Sequence, residues 1–144
     1  MEVELRDSLE FLYPDSPVRP RRCAALAVDV ARGGTAAAHV LVTGIKPDAA
    51  LRVAVRRNGR PVEGAQWFRL VDVPVERNTG LVGYCEKEET NPHVTRRAPF
   101  RVYDAMQPLS VHRGAAALTA AAQAIALRVH LPAANAPGSR EYRI

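Results

Sequence analysis

The stretch Gln66–Val75 reads QWFRLVDVPV and indicates the fold class more clearly than any other segment. Its side chains alternate between two sets, Trp67, Arg69, Val71, Val73 and Val75 in one and Phe68, Leu70 and Asp72 in the other. An alternation with a period of two residues is typical of a β-strand. Pro74 cannot donate a backbone hydrogen bond, so we expect this strand to end at a sheet edge or to bend there.

Shorter runs of the same kind lie on both sides of this strand. Alternating or β-branched residues predict strands over residues 24–30, 39–43, 51–55, 100–103 and 124–131. Residues 2–12 suggest a strand followed by a turn, and residues 142–144 suggest the start of one more. Residues 115–122 are rich in alanine, which favours a helix, but they precede a strict alternation. This segment is therefore left open between a strand and a short helix.

Turn residues separate the apolar runs. Asn58-Gly59 stands directly between two of them, and this dipeptide is the strongest short signal for a β-hairpin because both residues tolerate positive φ angles. The pattern predicts about seven to nine short strands with turns every ~8–12 residues, without alternating helices. We therefore expect an all-β chain folded as an antiparallel β-sandwich, immunoglobulin-like or jelly-roll-like.

Length and charge exclude several classes of protein. The chain has 144 residues, which fits one domain spanning residues 1–144, and it lacks an apolar run long enough to cross a membrane as a helix. Its net charge of +5 comes mostly from arginines scattered as pairs, at residues 21–22, 56–57 and 96–97. Because no continuous basic tract forms, nucleic acid is not an expected partner.

The two cysteines and the N-terminus bear on the cellular compartment. Cys23 and Cys85 stand alone, without a second cysteine or a histidine at metal-binding spacing, and whether they pair is left open. The first residues are acidic and alternating, which does not resemble a signal peptide. As written, the chain is expected in the cytoplasm, or outside the cell if a leader has been removed.

Residues that could carry chemistry are few. The four histidines are far apart, the acidic run at residues 86–89 lacks the oxygen-ligand spacing of a calcium site, and we predict no metal or cofactor. Paired carboxylates cleave glycosidic bonds, and Asp72 and Asp104 are isolated acids near strand ends. A turn-capping role for Asp104 and an ion pair with an arginine for Asp72 are the favoured interpretations, so no catalytic residue is predicted.

Aromatic side chains offer a second kind of site. Trp67, Tyr84 and Tyr103 are the candidates for stacking against sugar rings, provided that their rings are exposed. Trp67 lies on an alternating strand, where a position in the core or at a domain interface is the competing interpretation. Trp67, Asp72 and Asp104 are accordingly also candidates for structural or interdomain roles.

Several stretches, taken in order, resemble one known family. They are ARGGTAAAHVLV at residues 31–42, WFRLVDVPV at residues 67–75, APFRVYDAMQPL at residues 98–109, the alternating run from Gln123 to Pro132, and Ala136-Pro137-Gly138 with Tyr142. This series is similar to the N-terminal β-sandwich domain of glycoside hydrolase family 123 and its relatives, over residues 24–144. Met106 replaces a preferred leucine and Ala126 a common tryptophan.

The resemblance implies a role but carries over no catalytic residue. In that family the catalytic acids belong to a following (β/α)8 barrel, which cleaves N-acetylgalactosamine linkages with the help of the substrate's acetamido group. The expectation is a non-catalytic accessory module, the N-terminal part of a longer protein, that packs against such a barrel in cis. The alternatives are a free-standing carbohydrate-binding module that recognises a polysaccharide or glycan, and a small enzyme that uses Asp72 or Asp104.

Overall fold

A computed structural model describes residues 1–15, 25–78, 96–134 and 136–144. These residues form antiparallel β-strands without any helix, which confirms the all-β, sandwich-like class. Within them no helix could span a membrane. The strands are β1 (Glu2–Asp7), β2 (Thr35–Thr43), β3 (Ala50–Ala54), β4 (Arg56–Arg57), β5 (Arg60–Pro61), β6 (Gln66–Val75), β7 (Phe100–Pro108), β8 (Val111–His112), β9 (Ala115–Thr119) and β10 (Ala124–Pro132). The structure has ten strands where seven to nine were expected. Three of the ten, β4, β5 and β8, have only two residues each and are too short to show as alternating runs in the sequence.

The larger sheet has five strands in the order β1-β2-β10-β6-β7. Strand β10 lies at its centre and pairs with β2 along its whole length, from Ala124 to Pro132, and with β6 over residues 66–69. The far half of β6, which contains Pro74, therefore has β7 as a neighbour on one side only. This position suits a residue that cannot donate to a second ladder.

The smaller sheet has the order β3-β9-β8 and packs against one face of the larger one. The apolar core between them includes Val40, Trp67 and Leu127 from the larger sheet and Ala116 from β9. Residues 115–119 of the alanine-rich segment form β9, because pairing with β3 and burial outweigh the weak helix preference of alanine. The predicted hairpin is also confirmed, since Asn58 and Gly59 join β4 to β5 with φ angles of 50° and 76°.

Two predicted strands differ from the structure. Residues 25–30 of the run at 24–30 are not a strand, and Val28 and Val30 are 46% and 42% exposed. Both sides of the neighbouring β2 are already paired, with β1 and β10, so this run has no edge of β2 to join. Near the C-terminus the expected strand is reduced to one bridge between Arg143 and Arg56.

A segment after β1 covers part of the second face of the larger sheet. We call residues 8–15 the crossing segment, because they lead from β1 at one edge to β7 at the other. Leu12 in this segment is 1% exposed and packs with Leu41, Leu70, Ala126 and Tyr103. The second face is therefore covered by apolar contacts at this point, and polar side chains lie beside them on the same face.

Candidate functional site

Trp67, the first candidate for sugar stacking, lies in the core between the two sheets. Its side chain is 1% exposed, and its ring has no face open to a sugar. Its indole nitrogen is buried and has no hydrogen-bond partner within the described ranges. Trp67 is therefore a packing residue of the core.

The two tyrosine candidates are not brought together with Trp67. Tyr84 lies outside the described residues. Tyr103 is half-buried on the opposite face of the larger sheet, beneath Leu12. Burial raises the pKa of the Tyr103 phenol, and the nearby Asp72 carboxylate adds to the effect. The two described aromatic candidates thus face away from each other across one sheet.

Asp72 and Asp104 occupy a bulge between β6 and β7. Val71 pairs with Ala105 and Asp72 with Tyr103, so Asp104 is the extra residue without a partner opposite. Asp72 forms an ion pair with Arg101, whose Nη2 also donates to the Asp72 carbonyl at 3.1 Å. The hydrogen bond from Arg101 lowers the pKa of the Asp72 carboxyl. A general acid would need the opposite shift.

The outer edge of β7 is exposed and carries apolar side chains between Asp104 and Pro108. Residues 104–108 are all exposed, and they include Met106 at 49%. Val71 on the adjacent strand is 38% exposed. An open cleft of about 290 Å³ lies at the end of β7, lined by Ala65, Gln66, Trp67, Phe68, Pro108, Leu109 and Val111. We call β7 residues 104–108, Val71 and this cleft the apolar edge.

A polar row crosses the second face of the larger sheet beside the crossing segment. Arg6, His39, Arg128 and Phe68 lie opposite one another on β1, β2, β10 and β6, and His130 lies two residues further along β10 on the same face. Arg128 Nε donates to His130 Nε2 at 2.9 Å, and Arg128 Nη1 lies 3.4 Å from His39 Nε2. We call Arg6, His39, Arg128 and His130 the polar row.

Charge within the polar row is distributed unevenly. Arg6 binds Glu4 at 2.8 Å and Glu10 at 2.7 Å, so two carboxylates more than balance its single positive charge. His39 is 5% exposed, and burial, with help from Arg128, lowers its pKa to about 4. Burial and Arg128 also lower the pKa of His130. Both imidazoles are therefore neutral near pH 7.

A second group of interactions, centred on the Arg96 guanidinium, holds the crossing segment against β7. The Arg96 guanidinium lies 4.3 Å from the ring centre of Tyr13 and 5.4 Å from that of Phe100. Arg96 also binds Asp15 at 2.5 Å. Asn78 accepts from the Ala98 amide at 2.6 Å and donates to the Arg96 carbonyl at 2.9 Å. These contacts fix the crossing segment against β7, and the charges of Arg96 and Asp15 are paired with each other.

Sequence reasoning did not single out the polar row. The signal was present in β10, where Arg128 and His130 occupy the face opposite Leu127 and Val129. The matching position on β2, His39, is 89 residues away and can be found only once the register is known. No group of three or more metal-ligating side chains comes together in the part of the chain that the structure describes.

The site thus belongs to a sandwich-like β-domain with one apolar edge and one polar row. A scan of protein families finds no family that matches this chain, and a search of curated proteins finds no match either.

Proposed function

We propose that this chain is a non-catalytic β-sandwich module that packs against and supports a glycosidase-like catalytic domain of the same protein. The proposal extends the sequence resemblance to the N-terminal domain of glycoside hydrolase family 123. The observation that carries it is the apolar edge on β6 and β7, the strands that also hold the interdomain candidates Trp67, Asp72 and Asp104.

Between Asp104 and Pro108, the β7 edge lacks the usual protection of an exposed edge strand. Native proteins protect exposed edge strands with charges, prolines or a covering segment, because a free edge invites pairing with other chains. From Ala105 to Gln107 the β7 edge is uncharged, and Met106 is half-exposed there. A neighbouring domain would cover this edge and fill the adjoining cleft with apolar side chains.

The two acids that a small enzyme would use favour a supporting role. Asp72 is tied to Arg101 and its carboxyl has a lowered pKa, so it is ionised and held by a cation. Asp104 projects from a bulge without a facing strand residue. This arrangement suits the interdomain or structural role proposed for both residues.

The alternative of a free-standing carbohydrate-binding module has less support. Such modules present exposed coplanar rings, whereas Trp67 is buried and Tyr103 is half-buried on the other face. We therefore keep the supporting role as the main proposal and make sugar binding an outcome of its test.

The first test is the intact mass of the protein purified from its native source. A mass several-fold above 15.7 kDa is expected if this chain is one module of a larger protein. A mass near 15.7 kDa would exclude the accessory role and would favour the alternative of a free-standing sugar-binding protein.

The second test locates the interface. Amide hydrogen exchange is compared between this chain alone and the whole native protein, and residues 104–108 should be protected only in the whole protein. Met106→Glu should weaken binding of this chain to the separately produced remainder. Val3→Glu is the matched control, because Val3 is 43% exposed on the opposite edge strand β1. Equal binding by both variants would contradict the proposed interface.

A further inference from the structure

Arg128 is a half-buried guanidinium whose hydrogen bonds all go to uncharged groups. Its Nε donates to His130 Nε2 at 2.9 Å, and its Nη1 lies 3.4 Å from both the Ser8 carbonyl oxygen and His39 Nε2. No carboxylate of the described residues forms an ion pair with it. Charged groups removed from water are normally paired, so this cation calls for an anion.

The acidic side chains near Arg128 are engaged elsewhere. Glu4 and Glu10 bind Arg6 at 2.8 Å and 2.7 Å, and Asp7 Oδ1 accepts the Leu9 amide at 2.9 Å. Arg6 and Arg128 lie in the same row across the sheet, but only Arg6 has its charge balanced. Arg128 therefore has no ion-pair partner among the described residues, although the carboxylates in this part of the sheet outnumber its arginines.

The hydrogen-bond pattern determines which donors stay available. An arginine can only donate, so the Nε2 atoms of His39 and His130 act as acceptors and each neutral ring carries its proton on Nδ1. The Nδ1 of His39 is buried without a hydrogen-bond partner among the residues described. The Nη2 group of Arg128 and the Nδ1–H of His130 have no hydrogen-bond partner among the described residues and remain available as donors.

We propose that Arg128 and His130 form a binding site for a ligand that presents a carboxylate, with Phe68 and Gln66 contacting its body. The planar fork of a guanidinium matches the two oxygens of a carboxylate. The single guanidinium fork of Arg128 fits a monoanion, and the nearby carboxylates of Asp7 and Glu10 disfavour a dianion such as phosphate.

The surroundings of the site suit a small organic acid. Phe68 lies opposite Arg128, and its ring is 4.8 Å from that of His130. Gln66 lies opposite His130 and is exposed. A half-buried ring beside an exposed amide can contact the carbon skeleton and the hydroxyl groups of an acidic sugar. This inference does not depend on the proposed supporting role, because it rests on Arg128 and His130, although Gln66 and Phe68 also line the cleft of the apolar edge.

The test measures binding of sodium glucuronate, sodium acetate and glucose to the full chain at constant ionic strength, by NMR of the arginine Nε–H and histidine ring signals. Glucuronate should bind in the millimolar range and shift the Arg128 and His130 signals. Arg128→Gln should weaken that binding at least tenfold. Arg52→Gln is the control, because Arg52 is exposed on β3 in the other sheet and should leave binding unchanged.

The three probes separate the sources of the carboxylate. Stronger binding of glucuronate than acetate, with no response to glucose, identifies an acidic sugar, and equal binding of both acids identifies the carboxylate alone. Equal binding of glucose, or undiminished binding by Arg128→Gln, would overturn the proposal. If Arg128→Gln does not fold, the pKa of His130 is measured in the wild-type chain with and without glucuronate. A bound carboxylate must raise this pKa, and an unchanged pKa contradicts the site.

Discussion

The backbone amide of Tyr103 donates to the carbonyl oxygen of Leu12 at 2.8 Å. This bond joins the crossing segment, which starts beside β1, to β7 at the opposite edge of the five-stranded sheet. Leu12 fills the space between the two edges, so the crossing segment forms a second layer over part of one face. The contribution of this layer to the free energy of unfolding can be measured.

Leu12→Ala should destabilise the protein by about 2–4 kcal/mol, because it removes a fully buried side chain and leaves a cavity. Leu9→Ala is the matched control in the same segment, since Leu9 is 87% exposed whereas Leu12 is 1% exposed. The control should change stability by less than about 0.5 kcal/mol. Urea unfolding of both variants measures the difference, and equal effects would show that the crossing segment is not packed as described.

Stability should fall as the pH drops from about 6.5 to about 4, because the pKa of His39 is about 4 in the folded chain and 6.5 ordinarily. In this pH range His39 is protonated in the unfolded chain but remains neutral in the folded chain, so acid favours unfolding. The loss from His39 is up to about 3 kcal/mol, with a further contribution of the same sign from His130.

Urea unfolding at several pH values between 4.5 and 7 measures this slope. His39→Gln removes the titrating group while keeping a polar side chain, and it should flatten the dependence. An equally steep slope in His39→Gln would assign the pH effect to other groups.

Gly114→Ala should be more damaging than Gly59→Ala, although both glycines have positive φ angles of 72° and 76°. A Cβ at Gly114 would lie 2.8 Å from the Val62 carbonyl oxygen, whereas a Cβ at Gly59 meets nothing within 4 Å. We expect about 1 kcal/mol of backbone strain at Gly59 and about 2 kcal/mol or more at Gly114. Thermal unfolding distinguishes the two, and similar melting temperatures would contradict the close approach.

Trp67 should give blue-shifted fluorescence that acrylamide quenches poorly, because its side chain is 1% exposed. The chain has one tryptophan, so the signal needs no deconvolution. Neutral sugars should leave the emission unchanged. A red-shifted emission, or a change on adding sugar, would return Trp67 to the list of sugar-binding candidates.

Much of the fold could be predicted because local patterns agreed with the final packing. The alternation in Gln66–Val75 and the Asn58-Gly59 turn each describe one strand or hairpin, and neither depends on distant residues. Residues 25–30 misled the prediction, because alternation reports only that a segment could be a strand. Whether a sheet edge remains for it to join depends on β1 and β10, which pair with both sides of β2.

The candidate sites were harder to predict, since they depend on register between distant strands. Asp72 and Tyr103 lie opposite each other across a bulge that no single strand reveals. The neighbours of Arg128 come from β2, from β6 and from the crossing segment. The expected ion pair of Asp72 with an arginine needed only two adjacent strands, and the structure places Arg101 there.

The central position of β10 affects how this chain is made on the ribosome. Both of its neighbours in the sheet, β2 and β6, are synthesised long before it, and β10 is the last strand among the described residues. Until residue 132 has left the exit tunnel, the two halves of the larger sheet lack the strand that pairs with both of them. The core can therefore close only after β10 has been synthesised, and the nascent strands β2 and β6 are the segments that chaperones would need to shield until then.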